Sequence, residues 1–286
     1  MPALVFLICF QLLLLQIVLA LEAGEQNQTV KQVQDTNTAM ASPNVNLNKP
    51  VKLNPTPVQS YSIQPEASPS HSEELNTGAS IPPIPRDEIL YSVPAAGKRV
   101  ALTFDDGPAF RYTMEYLKVL RENQVPATFF LVGRRIQCNP SLVSMIVGEG
   151  HEIGNHSYDH PNLELQREAA IKEQLSRTSD LLSQWTQKEI KLMRPPGGAF
   201  GPGLLKVASE MNLRVVMWTI DPRDWEKNKT SNEIATLIKK NMEPGAIILL
   251  HEGKPQTLAA LPILINDLQK DGWEFVTISG LIGEDN

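Results

Sequence analysis

The chain has 286 residues and a formal net charge of -6. That length fits one large domain or two small ones. The acidic balance, with no basic patch, excludes the electrostatic footprint of a nucleic-acid binder. Of the two cysteines, Cys9 lies in the apolar N-terminal run, so a processed chain would keep only Cys138 and no internal disulfide. Stability must then come from a core or a bound metal. Cys138 has no Cys-x-x-Cys partner and is expected to pack as a small hydrophobe.

Residues 3–21 are apolar apart from Gln11 and Gln16. Val18-Leu19-Ala20 offers a small-residue cleavage site. The run is also about long enough, at ~18–20 residues, to span a bilayer uncleaved. Residues 1–23 therefore read as a signal peptide or an N-terminal membrane anchor, and either implies export. Residues 24–85 hold nine of the 22 prolines, many Asn, Gln, Ser and Thr, and Tyr61 as their only aromatic residue. Such a stretch buries too little apolar surface to offset its ordering entropy. It is read as a disordered linker between the N-terminal segment and a folded domain of residues 86–286.

From residue 86 short apolar runs alternate with amphipathic stretches. Strands are predicted at 99–104, 127–132, 151–153, 191–194, 214–218, 246–250 and 273–278. Helices are predicted at 113–123, 141–148, 165–185, 204–211, 231–241 (with Ser231 as N-cap) and 258–270. Seven strands alternating with helices argue for a parallel α/β fold. Some 200 residues suit a distorted (β/α) barrel, with an open doubly wound sheet as the alternative. No Gly-x-Gly-x-x-Gly follows the first strand, which weakens a dinucleotide-binding reading.

The chemistry-bearing residues cluster at strand ends. Asp105 and Asp106 close the first strand before Gly107-Pro108. Neighbouring residues on a strand face opposite sides, so the pair can share a site only where the backbone turns. His156 and His160 are four apart, the spacing at which one helical turn offers two imidazoles to one metal. A carboxylate from the aspartate pair would complete a two-His, one-carboxylate set with open positions. Arg194 ends the fourth strand, Asp221 and Asp224-Trp225 follow the fifth, and His251 ends the sixth. In a parallel barrel these ends converge on one rim, where active sites lie. His71 falls in the linker and reads as inert. His151 opens a strand at the opposite end and reads as structural.

Thr103-Phe-Asp-Asp-Gly107, His156-Ser-Tyr-Asp-His160, Arg194-Pro-Pro-Gly-Gly198, Asp221-Pro-Arg-Asp-Trp225 and Leu249-Leu-His251 resemble the five ordered motifs of the polysaccharide deacetylases, the NodB-homology enzymes of carbohydrate esterase family 4. The resemblance covers roughly residues 95–280 and implies a distorted (β/α) barrel. It also implies roles. Asp106, His156 and His160 would hold a divalent metal, usually zinc, with Co2+, Mn2+ or Ni2+ as alternatives. Asp105 would be the general base and His251 the general acid. Arg194 would tune Asp105 and Asp224 would tune His251, while Trp225 and Leu249 would line the acetyl pocket. Gly197 stands where the family often has Tyr or another large residue. A backbone N–H survives that change, but a wall is missing and substrate choice is affected.

The implied activity is metal-dependent removal of N-acetyl groups from an extracellular or cell-envelope polysaccharide by a monomeric enzyme. Peptidoglycan N-acetylglucosamine comes first; chitin oligomers, poly-N-acetylglucosamine and acetylxylan are alternatives. A catalytically silent sugar-binding module on the same barrel is the reading from another class. The full set of Asp105, Asp106, His156, His160 and His251 argues against it. Sequons occur at Asn27, Asn155 and Asn228, and Asn155 abuts the metal motif.

Overall fold

The computed structural model describes residues 88–284, which lie within one compact unit. The N-terminal segment, the whole of the linker (24–85) and His71 fall outside the described residues. Seven strands form a single parallel sheet: β1 (Arg99–Gly107), β2 (Thr128–Leu131), β3 (Glu152–Asn155), β4 (Leu192–Met193), β5 (Arg214–Val215), β6 (Ile247–His251) and β7 (Glu274–Val276). The order is β5-β4-β3-β2-β1-β6, and β7 also pairs with β1. The helices are α1 (Tyr112–Glu122), α2 (Gly133–Cys138), α3 (Pro140–Gly148), α4 (Glu168–Thr186), α5 (Pro202–Glu210), α6 (Ser231–Lys240), α7 (Pro255–Lys270) and α8 (Ile278–Ile282). Among the described residues no helix is long and apolar enough to cross a membrane.

Strand β1 is central because both its faces are buried. Val100, Leu102 and Phe104 pack into the layer that also holds Leu117 and Leu120 of α1 and Leu261 and Leu264 of α7. Ala101 belongs to a second apolar cluster with Phe130, Leu192, Val216 and Ile247. Strand alternation thus sends even-numbered residues outward to the helices and odd-numbered ones, Ala101, Thr103 and Asp105, inward. The helices follow the same logic: α4 buries Ile171, Leu175, Thr178 and Leu182, a three-to-four spacing that lays one stripe on the core.

The sheet curls without closing through an eighth strand. Its two edges, β5 and β6, are joined by irregular chain. The Leu90 N–H donates to the Val215 carbonyl at 2.9 Å, and the Val93 N–H donates to the Gly245 carbonyl at 2.9 Å. On the far side of the gap, Leu249 N–H donates to the Ile220 carbonyl at 2.9 Å. The distorted barrel inferred from seven strands is therefore the observed architecture.

Three local expectations are corrected. Cys138 is exposed. It lies two residues past buried Ile136 on a short helix, which turns it to the opposite face. The N-cap of α6 is Thr230 and not Ser231: the Thr230 hydroxyl accepts from the Glu233 N–H at 3.3 Å and Glu233 returns a bond to the Thr230 N–H at 2.8 Å. The Thr-x-x-Glu spacing of a capping box fits only that register. Strands β4 and β5 are two residues each, shorter than predicted; just past β5, Val216 pairs with Leu90 through an isolated bridge.

Candidate active site

Asp105 and Asp106 reach one cavity through a break in strand geometry. The β1–β2 register shifts between Phe104 and Gly107, and Asp106 takes a left-handed φ of 70°. That rotation brings a carboxylate that alternation would send outward beside the inward Asp105. The histidine pair also differs from expectation. His156 and His160 lie in the loop after β3 and not on a helix, with Ser157 and His160 both at φ 61°. The loop nonetheless stacks the rings edge to face, with centroids 5.0 Å apart.

His156 Nδ1 lies 2.8 Å from the Arg194 carbonyl, which can only accept, so Nδ1 carries the proton. The lone pair of Nε2 is left facing Asp106 Oδ1 at 3.6 Å and Asp105 Oδ2 at 3.7 Å. His160 Nε2 is 3.1 Å from the same Asp106 oxygen. One ligand atom each from Asp106, His156 and His160 falls within 4.8 Å of the others. A fixed imidazole tautomer, converging lone pairs and one carboxylate suit a divalent cation. Burial pulls the His156 pKa down, against the pull of Asp105 and Asp106, so its neutral, ligating form is favoured. Burial alone would raise Asp106, but the His160 hydrogen bond and the nearby histidine charges hold it below the usual carboxylate range.

The remaining groups form two pairs. Arg194 is fully buried and donates to Asp105 Oδ1 and to the Thr103 hydroxyl, both at 2.8 Å. It also donates to the carbonyls of Val216 and Met217 at 3.1 and 3.0 Å, and it lies over the Phe130 ring. Four of the five guanidinium N–H groups are engaged, so Asp105 Oδ1 is held and Oδ2 is left toward His156. The second pair is Asp224 and His251. Asp224 Oδ1 sits 2.7 Å from His251 Nδ1, while Oδ2 accepts from the His251 N–H at 2.8 Å and the Thr257 hydroxyl at 2.6 Å. Burial would lower the His251 pKa, but the Asp224 bond and charge outweigh it and raise it. His251 thus holds a proton on Nε2, at the cavity, more readily than free histidine.

These side chains line a cavity of about 270 Å³. Its walls are Asp105, Asp106, His156, His160, Gly197, Trp218, Asp221, Trp225, Leu249 and His251. Arg194 and Asp224 stand behind the wall, each touching it through a partner. Asp221 accepts from the Arg223 N–H at 2.7 Å and shapes the turn that presents Trp225. Gly197 has φ 62°, and a methyl added there would meet nothing within 4 Å, so that side of the cavity is open. A larger cavity of about 670 Å³ lies at the opposite end of the strands, around His151, Glu152 and Ser279. His151 accepts from the Ala127 N–H at 3.2 Å, and burial pulls its pKa to about 4, as suits a packed neutral imidazole. Asn155 is wholly buried and donates to the Leu175 carbonyl at 2.7 Å, which closes that sequon to a glycan.

Sequence reasoning missed Trp218, Thr103 as a partner of Arg194, and the guanidinium of Arg135, which donates to the Asp106 carbonyl. It also missed Glu252. That carboxyl is buried beside the site, and burial raises its pKa to about 7. Adjacency to His251 was the one available signal for it.

A curled parallel β/α barrel that gathers Asp105–Arg194, Asp224–His251 and a two-His, one-carboxylate cluster at the carboxyl ends of its strands has the plan of a hydrolase. The polysaccharide deacetylase family model matches residues 92–216. A peptidoglycan-N-acetylglucosamine deacetylase of Bacillus cereus is 38% identical over 203 residues, covering 69% of this chain and 94% of that protein. A chitooligosaccharide deacetylase of Azorhizobium caulinodans is 36% identical over 189 residues, covering 61% and 90%. Among solved structures, a family 4 carbohydrate esterase pseudoenzyme from Bacillus anthracis aligns with a TM-score of 0.65 at 31% identity, over 68% of this chain and 69% of that one. The chain belongs to the polysaccharide deacetylase family, which includes peptidoglycan and chitooligosaccharide deacetylases.

Proposed function

We propose that this chain is a divalent-metal-dependent N-deacetylase of a cell-envelope polysaccharide, with peptidoglycan N-acetylglucosamine as its leading substrate. The observation that carries the reading is the meeting of two differently tuned pairs, Asp105–Arg194 and Asp224–His251, at one cavity with the Asp106, His156 and His160 cradle. A silent sugar-binding module would have no use for that set. Two imidazoles and a carboxylate favour zinc, with Co2+, Mn2+ or Ni2+ as alternatives. When bound, the cation supplies a Lewis acid that polarises the acetamide carbonyl and a field that eases ionisation of water.

The chain's own residues account for the proton movements. Asp105 accepts the proton of the attacking water at Oδ2, because Oδ1 is engaged by Arg194. His251 delivers a proton from Nε2 to the amine nitrogen as the C–N bond breaks, and Asp224 holds its Nδ1–H. Trp225 and Leu249 enclose the acetyl methyl. The open side at Gly197 admits a polymer and not only a short oligomer. Export by residues 1–23 and spacing by residues 24–85 would present a monomeric catalytic domain of residues 86–286 to the wall.

The test is acetate release by the purified full chain from peptidoglycan, chitin oligomers, poly-N-acetylglucosamine and acetylxylan. Release is expected to be greatest from peptidoglycan, to stop on chelation and to return on adding Zn2+. No release from any of the four would overturn the reading.

A further inference from the structure

Glu252 follows His251, so strand alternation points it away from the cavity. It is 2% exposed, and its hydrogen bonds run to the segment that carries the two active-site aspartates. Its backbone N–H donates to the Asp105 carbonyl at 2.9 Å. Its Oε2 accepts from the Thr113 hydroxyl and from the Ala109 N–H at 3.3 Å. The Ala109 N–H also donates to Thr113 Oγ1 at 2.8 Å, which closes a triangle of polar groups. Oε1 is buried with no hydrogen-bond partner and lies against Gly107: a methyl at that glycine would sit 1.9 Å from it. Gly107 is not among the residues with left-handed φ. It is therefore glycine for room and not for conformational freedom.

A buried carboxyl with one oxygen unpaired is costly, and an apolar side chain would fill the same space more cheaply. What the carboxyl adds is direction. Beyond the backbone bond to residue 105, it ties residues 109 and 113 to the strand that ends in His251, across Gly107. We propose that Glu252 is a positioning residue for deacetylation, clamping the segment 105–113 so that Asp105 and Asp106 keep a fixed placement relative to His251, and that Gly107 is the space this clamp requires. The inference rests on the roles of those three residues given above.

The test compares Glu252→Gln, Glu252→Met, Gly107→Ala and the Gly107→Ala/Glu252→Ala double variant with wild type. Each is measured for kcat, KM, Zn2+ affinity by calorimetry and thermal midpoint. Glutamine can still accept from Thr113 and Ala109 and should keep kcat within about threefold. Methionine fills the space without accepting, and misplacement of the carboxylates should lower kcat about 10–100-fold with KM nearly unchanged. Gly107→Ala should be at least as damaging, and removing the Glu252 side chain in the double variant should restore part of that loss. A methionine variant with wild-type kcat, or losses that simply multiply in the double variant, would overturn the clamp. If wild type itself releases no acetate, the deacetylase reading fails first. The clamp is then judged on Zn2+ affinity alone, which Glu252→Met should weaken about tenfold by displacing Asp106; an unchanged affinity would overturn it.

Discussion

At the scale of single residues, the site separates two adjacent carboxylates by what holds each one. Asp105 is fixed by a fully buried guanidinium, and Asp106 faces two imidazole nitrogens at 3.1 and 3.6 Å. The two therefore answer differently to the same mutation. Asp105→Asn keeps shape but gives up a proton acceptor. It should retain Zn2+ at wild-type stoichiometry while kcat falls by about 10²–10⁴, the usual worth of a general base. His156→Ala removes a proposed ligand whose lone pair is oriented by the Arg194 carbonyl, so metal content and rate should fall together. Metal analysis on the purified variants separates the cases. Loss of metal from the Asn variant would mean that the division of labour between the two aspartates is the reverse, and retention in the Ala variant would remove His156 from the ligand set.

At the scale of elements, the buried Glu252 at the end of β6 makes the β1–β6 junction sensitive to pH. Its pKa is raised from 4.5 to about 7 by burial. Between those values the folded chain holds a proton that the unfolded chain has released, so this group's contribution to stability declines as pH rises through that window. A rise of that size corresponds to about 3 kcal/mol. Glu252→Gln cannot ionise and should gain on wild type by about that amount between pH 4.5 and pH 7, read from urea midpoints at fixed ionic strength. A gap that does not widen with pH would show that the carboxyl titrates normally. Elements also mark where the sequence was legible. Strand β1 could be read from its continuous apolar run, buried on both faces, and helix α4 from the regular stripe it buries. The placement of Asp106 could not, because a φ of 70° at a bulge has no periodic signature. The His156–His160 pair was found by a spacing that belongs to helices, yet a loop with two left-handed residues delivers it. Glu252 was missed because burial of a carboxyl depends on Thr113 and Ala109, some 140 residues away.

At the scale of the whole molecule, the barrel is completed by residues that carry no chemistry. Counting strands foresaw an incomplete barrel, but not what fills the gap, since the pairing of Leu90 with Val216 is an isolated bridge without a run of alternating residues. Leu90 and Val93 are 2% and 3% exposed and lie in the same apolar cluster as Ala101 and Ile247. The Leu90 carbonyl also accepts from the Met217 N–H at 2.7 Å, one residue before Trp218 of the cavity wall. Taking away both side chains removes roughly 3–6 kcal/mol of burial. At about 2–4 °C per kcal/mol for a domain of this size, the thermal midpoint of a chain begun at Pro94 should fall by roughly 10–20 °C relative to one begun at Glu88. Because Arg194 hangs from the Val216 and Met217 carbonyls, the shorter chain should also lose the fixed setting of Asp105, so that kcat falls even well below its melting temperature. Calorimetry and acetate-release rates on the two chains at 20 °C measure both effects. Equal midpoints would mean that β5 and β6 hold together without the segment. A lower midpoint with unchanged kcat would mean that the closure stabilises the barrel without governing the site.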